Sequence, residues 1–386
     1  MRLLVAFDKF KDALAARQAC ELAARAVRAN HPDWELDLCP LTDGGEGFAD
    51  ILTHAAGGQL VSFPVTGPRG GLVEAPVGLV SLSRIPAAAR ARLDLGHIPA
   101  DSKVALIEMA SASGLALLPR DQRDPWQASS RGTGQLIRAA AELGAAAVIL
   151  GIGGSATHDL GLGALSALGL EFRGAGGRKL IPPVPALWPE MERIEGEAFP
   201  SIPPLRIACD VTNPLLGPRG AAAVYASQKG LKPGDYGRLE AGTARVAELL
   251  CEHCGRDRSL MEASGAGAAG GFSFGLIVAA GAHLLPGFDL VTDWLDLDAR
   301  VAAADAVLTG EGRFDRSSLE GKGPGAVASR ALALGKAVHV FAGQVAEQGA
   351  PPAGLSLHAI TPPGTPLAEA LKACGANLAA SVRQAV

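Results

Sequence analysis

Aromatic residues are scarce in this chain: they make up 4% of 386 residues, with only four tryptophans and two tyrosines. The interior must therefore be filled by alanine, valine and leucine. Positive charge is not in excess, with 35 Lys and Arg against 39 Asp and Glu. The formal net charge is −4, the calculated pI is near 6.1, and no basic stripe interleaved with aromatics occurs, so no nucleic-acid partner is expected. Long apolar runs are missing too. The longest apolar window, residues 272–288, contains glycines and His283 and falls short of the ~20 residues that cross a bilayer. It reads as a buried helix, and no membrane partner is expected.

Six cysteines are scattered at positions 20, 39, 209, 251, 254 and 374, which a large core does not need as staples. The opening MRLLVAFDKF has neither the long apolar stretch nor the small-residue cleavage site of a secretory signal. Together these point to the reducing cytoplasm. CEHC at 251–254 resembles half of a zinc site, but no second pair lies at ligand spacing, so these cysteines are expected to be free thiols.

What is abundant is glycine, 49 residues, alongside 26 prolines and 48% hydrophobic content. Glycine and proline without a collagen-like period indicate many strand-to-helix turns in an α/β protein. The length exceeds a single core's usual limit of roughly 250 to 300 residues, so two domains are the default. The first 60 residues alternate strand and helix, with Asp12 a candidate N-cap for the first helix. From Leu60 the texture changes to short alternating strands joined by TGPRGG, an antiparallel signature. From about Asp289 the βα alternation returns. The expected fold is α/β: a Rossmann-like parallel-sheet domain built from residues 1–66 and 288–386, with a mixed α/β domain of residues 67–287 inserted. The active site is expected in the cleft between them.

The most informative run is GIGGSATHD at 151–159, which follows the apolar stretch AAAVIL. Glycines after a buried strand bring main-chain amides close to a ligand, the hydroxyls of Ser155 and Thr157 add donors, and Asp159 can hold a cation or accept a proton. Taken alone, the loop fits a phosphate site and a tight packing turn equally well. Two further acid-and-glycine turns, DGGEG at 43–47 and TGEGRFD at 309–315, also follow strand-like segments. In open α/β sheets ligands collect at the carboxyl ends of strands.

Seven acids follow such runs: Asp8, Asp43, Glu46, Asp159, Asp210, Glu311 and Asp315. Magnesium takes oxygen ligands from one or two carboxylates plus phosphate, and a hydroxyl nucleophile wants a carboxylate to receive its proton. Asp210 can equally form an Asx turn before Thr212-Asn213-Pro214. Cations stand at matching places: Lys9, Lys11, Lys229, Arg313 and Lys322. GAGAAGG at 265–271 opens a helix and suits either phosphate or close helix packing. His158 is either a base or a turn-stabilising partner. The Lys-Ser/Thr end of a Walker loop is missing, as is the ribose-binding acid of a dinucleotide fold, which argues against an oxidoreductase.

The ordered set DKFK, DGGEG, EMASASG, GIGGSATHD, CDVTNPLLG, QKG, GAGAAGG and TGEGRFD resembles the type 1 glycerate kinase family across nearly the whole chain. DKFKDALAA stands for the commoner DSFKGSLSA, and HDLGLG for NDGGAG. The resemblance implies ATP as phosphoryl donor with Mg2+, D-glycerate as the small-molecule substrate and 2-phosphoglycerate as product; the chain is expected to be a monomer or homodimer. A kinase for another small hydroxy or sugar acid is the alternative. Joining residues and resemblance, Asp43, Asp159 and Lys11 are expected to be catalytic. Asp8, Lys9, Gly44, Gly45, Glu46 and Arg313 are expected to bind substrate. Gly153, Gly154, Ser155, Thr157, Lys229, Gly267 and Gly271 are expected to frame the nucleotide, and Asp210 and Asp315 to hold the metal.

Overall fold

A computed structural model describes residues 1–198, 201–315, 318, 323–346 and 351–386. Two compact units emerge, Met1–Asp43 with Val291–Val386, and Gly44–Leu290. The first junction falls at Asp43 rather than near residue 66. The reason is pairing: the strand Gln59–Thr66 runs antiparallel to Leu72–Ser81 over its full length, and the helix Phe48–Ala55 lies on Leu72–Ser81 and Lys103–Glu108. The second junction lies inside the helix Gly287–Leu295.

The first unit is a Rossmann-like, wholly parallel five-stranded sheet. From edge to edge its strands are Leu355–Ala359, Ala337–Val345, Ala306–Phe314, Arg2–Phe7 and Glu35–Leu38. Parallel strands covered on both faces read as continuous apolar runs, and Leu3 to Phe7 are all buried. The first helix, Ala16–Asn30, turns Ala19, Ala23, Ala26 and Val27 inward and packs on the carboxyl-terminal helix Leu367–Ala385. It begins four residues after Asp12, which is exposed with φ of 62° in the preceding turn and caps nothing.

The second unit holds a mixed six-stranded sheet. Its order is His283–Leu285, Leu205–Ala208, Ala145–Gly151, Lys103–Glu108, Leu72–Ser81 and Gln59–Thr66. The first four are mutually parallel, and the last two form the antiparallel hairpin. Residues 272–288 are not one helix: Ala268–Ala280 is helical, then the strand His283–Leu285 follows, and a new helix opens at Gly287. Among the described residues no helix is long and apolar enough to cross a membrane. The six cysteines, all among the described residues, form no disulfide. His253 of CEHC bonds the Gly196 carbonyl through Nε2 at 2.8 Å.

Candidate active site

In the first unit, acids gather at the carboxyl end of the parallel sheet. Asp8 directly follows Phe7, and its amide donates to the Gly310 carbonyl at 3.0 Å, which ties it to the neighbouring strand. Asp43 lies after the amides of Cys39 and Leu41 have bonded Val5 and Phe7, so the chain leaving Glu35–Leu38 stays beside the first strand. Lys9 Nζ stands 3.4 Å from Asp43 Oδ1 and 3.9 Å from Asp8 Oδ1. TGEGRFD is not a turn, because the strand Ala306–Phe314 runs through it. Glu311 therefore projects from a strand, half-buried, and Arg313 shares its face two residues on. Asp315 is at the strand's end, with Arg313 Nε at 3.7 Å.

Glu311 had no assigned role on sequence grounds, yet it is the most perturbed acid here. Burial pushes its carboxyl up from 4.5 to about 7, the carboxylates of Asp8, Asp315 and Asp43 push the same way, and the Ser318 hydroxyl bonded to it pulls back. The signal that could have found it is an acid inside an apolar strand. Lys11 is exposed, with its amide beside Gly312. Lys322 lies outside the described residues.

In the second unit, four of the motifs meet. Gly153 donates to the Gly44 carbonyl at 3.0 Å, and a Cβ on Gly153 would come within 2.7 Å of Gly45 Cα. Gly44 and Gly45 are buried and seat the 151–154 turn. Leu115 donates to Gly154 at 2.7 Å and Ala156 to Ser113 at 2.9 Å, bringing in EMASASG, and Glu108 Oε2 accepts from the Ala49 amide at 3.2 Å. Lys229 of QKG points inward, its Nζ donating to Ser155 Oγ at 2.9 Å and to the Thr157 carbonyl at 2.6 Å. An alanine at 153 must push two main-chain segments apart. It should lower stability by about 1–3 kcal/mol, read as a lower urea midpoint; an unchanged midpoint would show that the two turns are not in fact interlocked.

Several expected ligand contacts are thereby corrected. Asp159 is wholly buried; its carboxylate accepts from Ser130 N, Ser130 Oγ, Gly161 N and Gly163 N, at 2.7 to 3.2 Å. Burial raises its pKa and those four donors lower it, with the net direction upward. Held by these four donors, it anchors the loop. Ser155, Thr157 and Lys229 are buried; Lys229 holds the Ser155 hydroxyl and the Thr157 carbonyl, while the Thr157 hydroxyl is buried without a hydrogen-bond partner, Gly154 is exposed and Gly153 half-buried. Gly267 and Gly271 are packing glycines: a Cβ would meet the Pro214 carbonyl at 2.2 Å and Leu160 Cδ2 at 2.5 Å. His158 is fully buried against Thr243 Oγ1, and burial pushes its pKa down to about 3. Asp210 Oδ2 accepts from the Phe288 amide at 2.9 Å, which makes it an anchor for the helix Gly287–Leu295. Glu46 stays half-buried beside Gly154.

Burial pushes Lys229 from 10.5 down to about 7, opposed by the charge of Asp159. Between pH 7 and 10.5 the unfolded chain then binds a proton that the folded one does not, so this residue makes stability rise with pH across that window. Lys229→Met should flatten that rise in urea titrations at pH 7 and pH 9. An equal slope in both proteins would place the lysine's pKa near its ordinary value.

A model described as the glycerate kinase family matches residues 3–386. A glycerate kinase of Haemophilus influenzae is 37% identical over 358 residues, covering 90% of this chain and 87% of its own. A glycerate 2-kinase of Escherichia coli K12 is 35% identical over 353 residues, covering 90% and 86%. The crystal structure of a Salmonella typhimurium LT2 protein, provisionally assigned as glycerate kinase 2, superposes with a TM-score of 0.73 at 35% identity, covering 100% of this chain and 97% of that one. Motif order, fold and full-length similarity agree: this chain is a kinase and belongs to the glycerate kinase family.

Proposed function

We propose that this chain transfers the γ-phosphoryl group of ATP to the 2-hydroxyl of D-glycerate, giving 2-phosphoglycerate and ADP. The observation that carries the reading is the half-buried Glu311, poised near neutrality among Asp8, Asp43 and Asp315 at the end of a parallel sheet. A general base is most effective when its pKa lies near the working pH, and phosphoryl transfer needs a carboxylate to receive the hydroxyl proton. Glu311 fills that role in this reading.

Hard oxygen donors suit magnesium, which keeps several waters and takes one or two carboxylates plus phosphate oxygens. No group of three or more His, Cys, Asp or Glu side chains able to hold a metal occurs among the described residues, so Asp8 and Asp315 would act together with the nucleotide's phosphates. When bound, the ion would neutralise charge on those phosphates. Lys9 orients Asp43 through their 3.4 Å contact, and Lys9, Lys11 and Arg313 supply positive charge for the glycerate carboxylate and the transferred group. Six cysteines that form no disulfide suit a reducing compartment such as the cytoplasm.

Incubation with ATP, Mg2+ and D-glycerate followed by phosphorus NMR tests this. The 2-phosphate ester with equimolar ADP is expected. The 3-phosphate ester would refute the regiochemistry, and turnover of another hydroxy acid in preference to D-glycerate would refute the substrate.

A further inference from the structure

The first unit carries a cavity of about 370 Å3 that the TGEGRFD motif touches only through Arg313. It opens at the carboxyl ends of three neighbouring parallel strands. Arg313 and Gln344 stand opposite each other in register, Ala359 closes the strand Leu355–Ala359, and the far wall is the turn Thr361-Pro362-Pro363-Gly364-Thr365. That turn is pre-shaped. Ile360 donates to the Ala342 carbonyl at 2.8 Å, Thr365 bonds Pro362 through both its amide and its hydroxyl, and Gly364 takes φ of 78° before the helix Leu367–Ala385 begins.

The lining has an unusual charge distribution. Apart from Arg313 at its rim, it consists of glycine, alanine, valine, proline, threonine and one glutamine. A glycerate carboxylate with two hydroxyls would leave most of such a cavity unfilled. A neutral heterocycle with a sugar suits it better: apolar walls for the ring faces, with hydroxyl, amide and main-chain groups for its edges. Arg313 then stands where the anionic part of the same ligand leaves the cavity. It shares a strand face with Glu311, and its Nε is 3.7 Å from Asp315.

We infer that this cavity is the nucleoside subsite of the phosphoryl donor. The base and ribose lie between Gln344, Ala359 and the Pro362-Pro363 turn, and the phosphates run past Arg313 towards Asp8, Glu311 and Asp315. The inference rests on the phosphoryl-transfer reading above. It moves the nucleotide from the 151–159 loop, whose Ser155, Thr157, His158 and Asp159 are buried, to the sheet end that holds the reacting acids.

Calorimetric titration of the full-length protein with ATP and with AMP reads the subsite without turnover. Ala359→Trp, which fills the cavity, should weaken both ligands at least tenfold and raise KM for ATP by a similar factor, with KM for D-glycerate within twofold of wild type. If the tryptophan prevents folding, Gln344→Glu places a carboxylate beside Arg313 and should weaken ATP at least fivefold. Unchanged nucleotide affinity in a folded variant, a rise confined to KM for D-glycerate, or no ATP binding by the wild type would each overturn the assignment. A wild type that binds ATP at this site but leaves D-glycerate untouched would instead refute the substrate reading and keep the subsite.

Discussion

Glu311→Gln is expected to lower kcat by roughly 100-fold or more, within the range that positioned proton transfer supplies, while the protein stays folded. Two readouts separate loss of a base from structural damage. In the wild type, kcat/KM should rise with pH through about 7 and level off above it as the carboxyl ionises; the residual activity of the glutamine variant should lack that step. Stability should move in the other direction. Between pH 4.5 and about 7 the folded protein holds a proton at Glu311 that the unfolded chain has released, so this group's contribution is full below 4.5 and is lost as pH rises through 7. At pH 8 the variant should therefore be at least as stable as wild type by urea unfolding. A variant with near-normal kcat, or a wild-type profile flat from pH 5.5 to 8.5, would remove Glu311 from the role of base and return it to Asp43.

Asp159→Ala should have the opposite signature, failing in the fold first. It strands the amides of Ser130, Gly161 and Gly163 and the Ser130 hydroxyl in a buried site. Each buried donor left unpaired costs about 1–3 kcal/mol, so a total above roughly 3 kcal/mol is expected. Asp159→Asn is the graded test. With its carbonyl in place of Oδ2 it keeps three of the four acceptor contacts and sets an N–H against the Gly161 amide, so its loss should be smaller than that of alanine. Urea midpoints ordered wild type, Asn, Ala are expected. An asparagine variant as stable as wild type but inactive would restore a catalytic role to this residue.

These two acids also show what the primary structure could and could not disclose. The apolar runs before GIGGSATHD and DKFK marked the carboxyl ends of the strands Ala145–Gly151 and Arg2–Phe7, and the return of βα spacing near Asp289 joined the two chain ends in one sheet. Whether an acid at such an end is open or enclosed depends on partners brought from elsewhere. Ser130, 29 positions before Asp159, supplies two of its four donors, and no local spacing announces that. Glycine is ambiguous for a related reason: Gly154 faces outward, while Gly267 and Gly271 make room for Pro214 and Leu160, and both kinds look alike as letters. Glu311 was passed over because TGEGRFD has the composition of a turn. Pairing with Ala337–Val345 from Ala306 to Phe314 overrode that local preference and carried the acid out on an extended strand. The 361–365 turn held no charged residue to draw the eye, and only the neighbouring strands give it a cavity to close.

The seating of the 151–159 loop has a thermodynamic corollary. A Cβ on Gly270 or Gly275 would lie 2.2 Å from the Thr157 carbonyl or 1.9 Å from the Leu160 carbonyl, so main chain rests directly on main chain there. That segment loses its conformational freedom when the polypeptide first folds, long before any small molecule arrives. Association at its exposed residue, Gly154, would then incur little further ordering entropy, and affinity there should depend only weakly on agents, such as viscogens or mild denaturant, that alter loop mobility elsewhere.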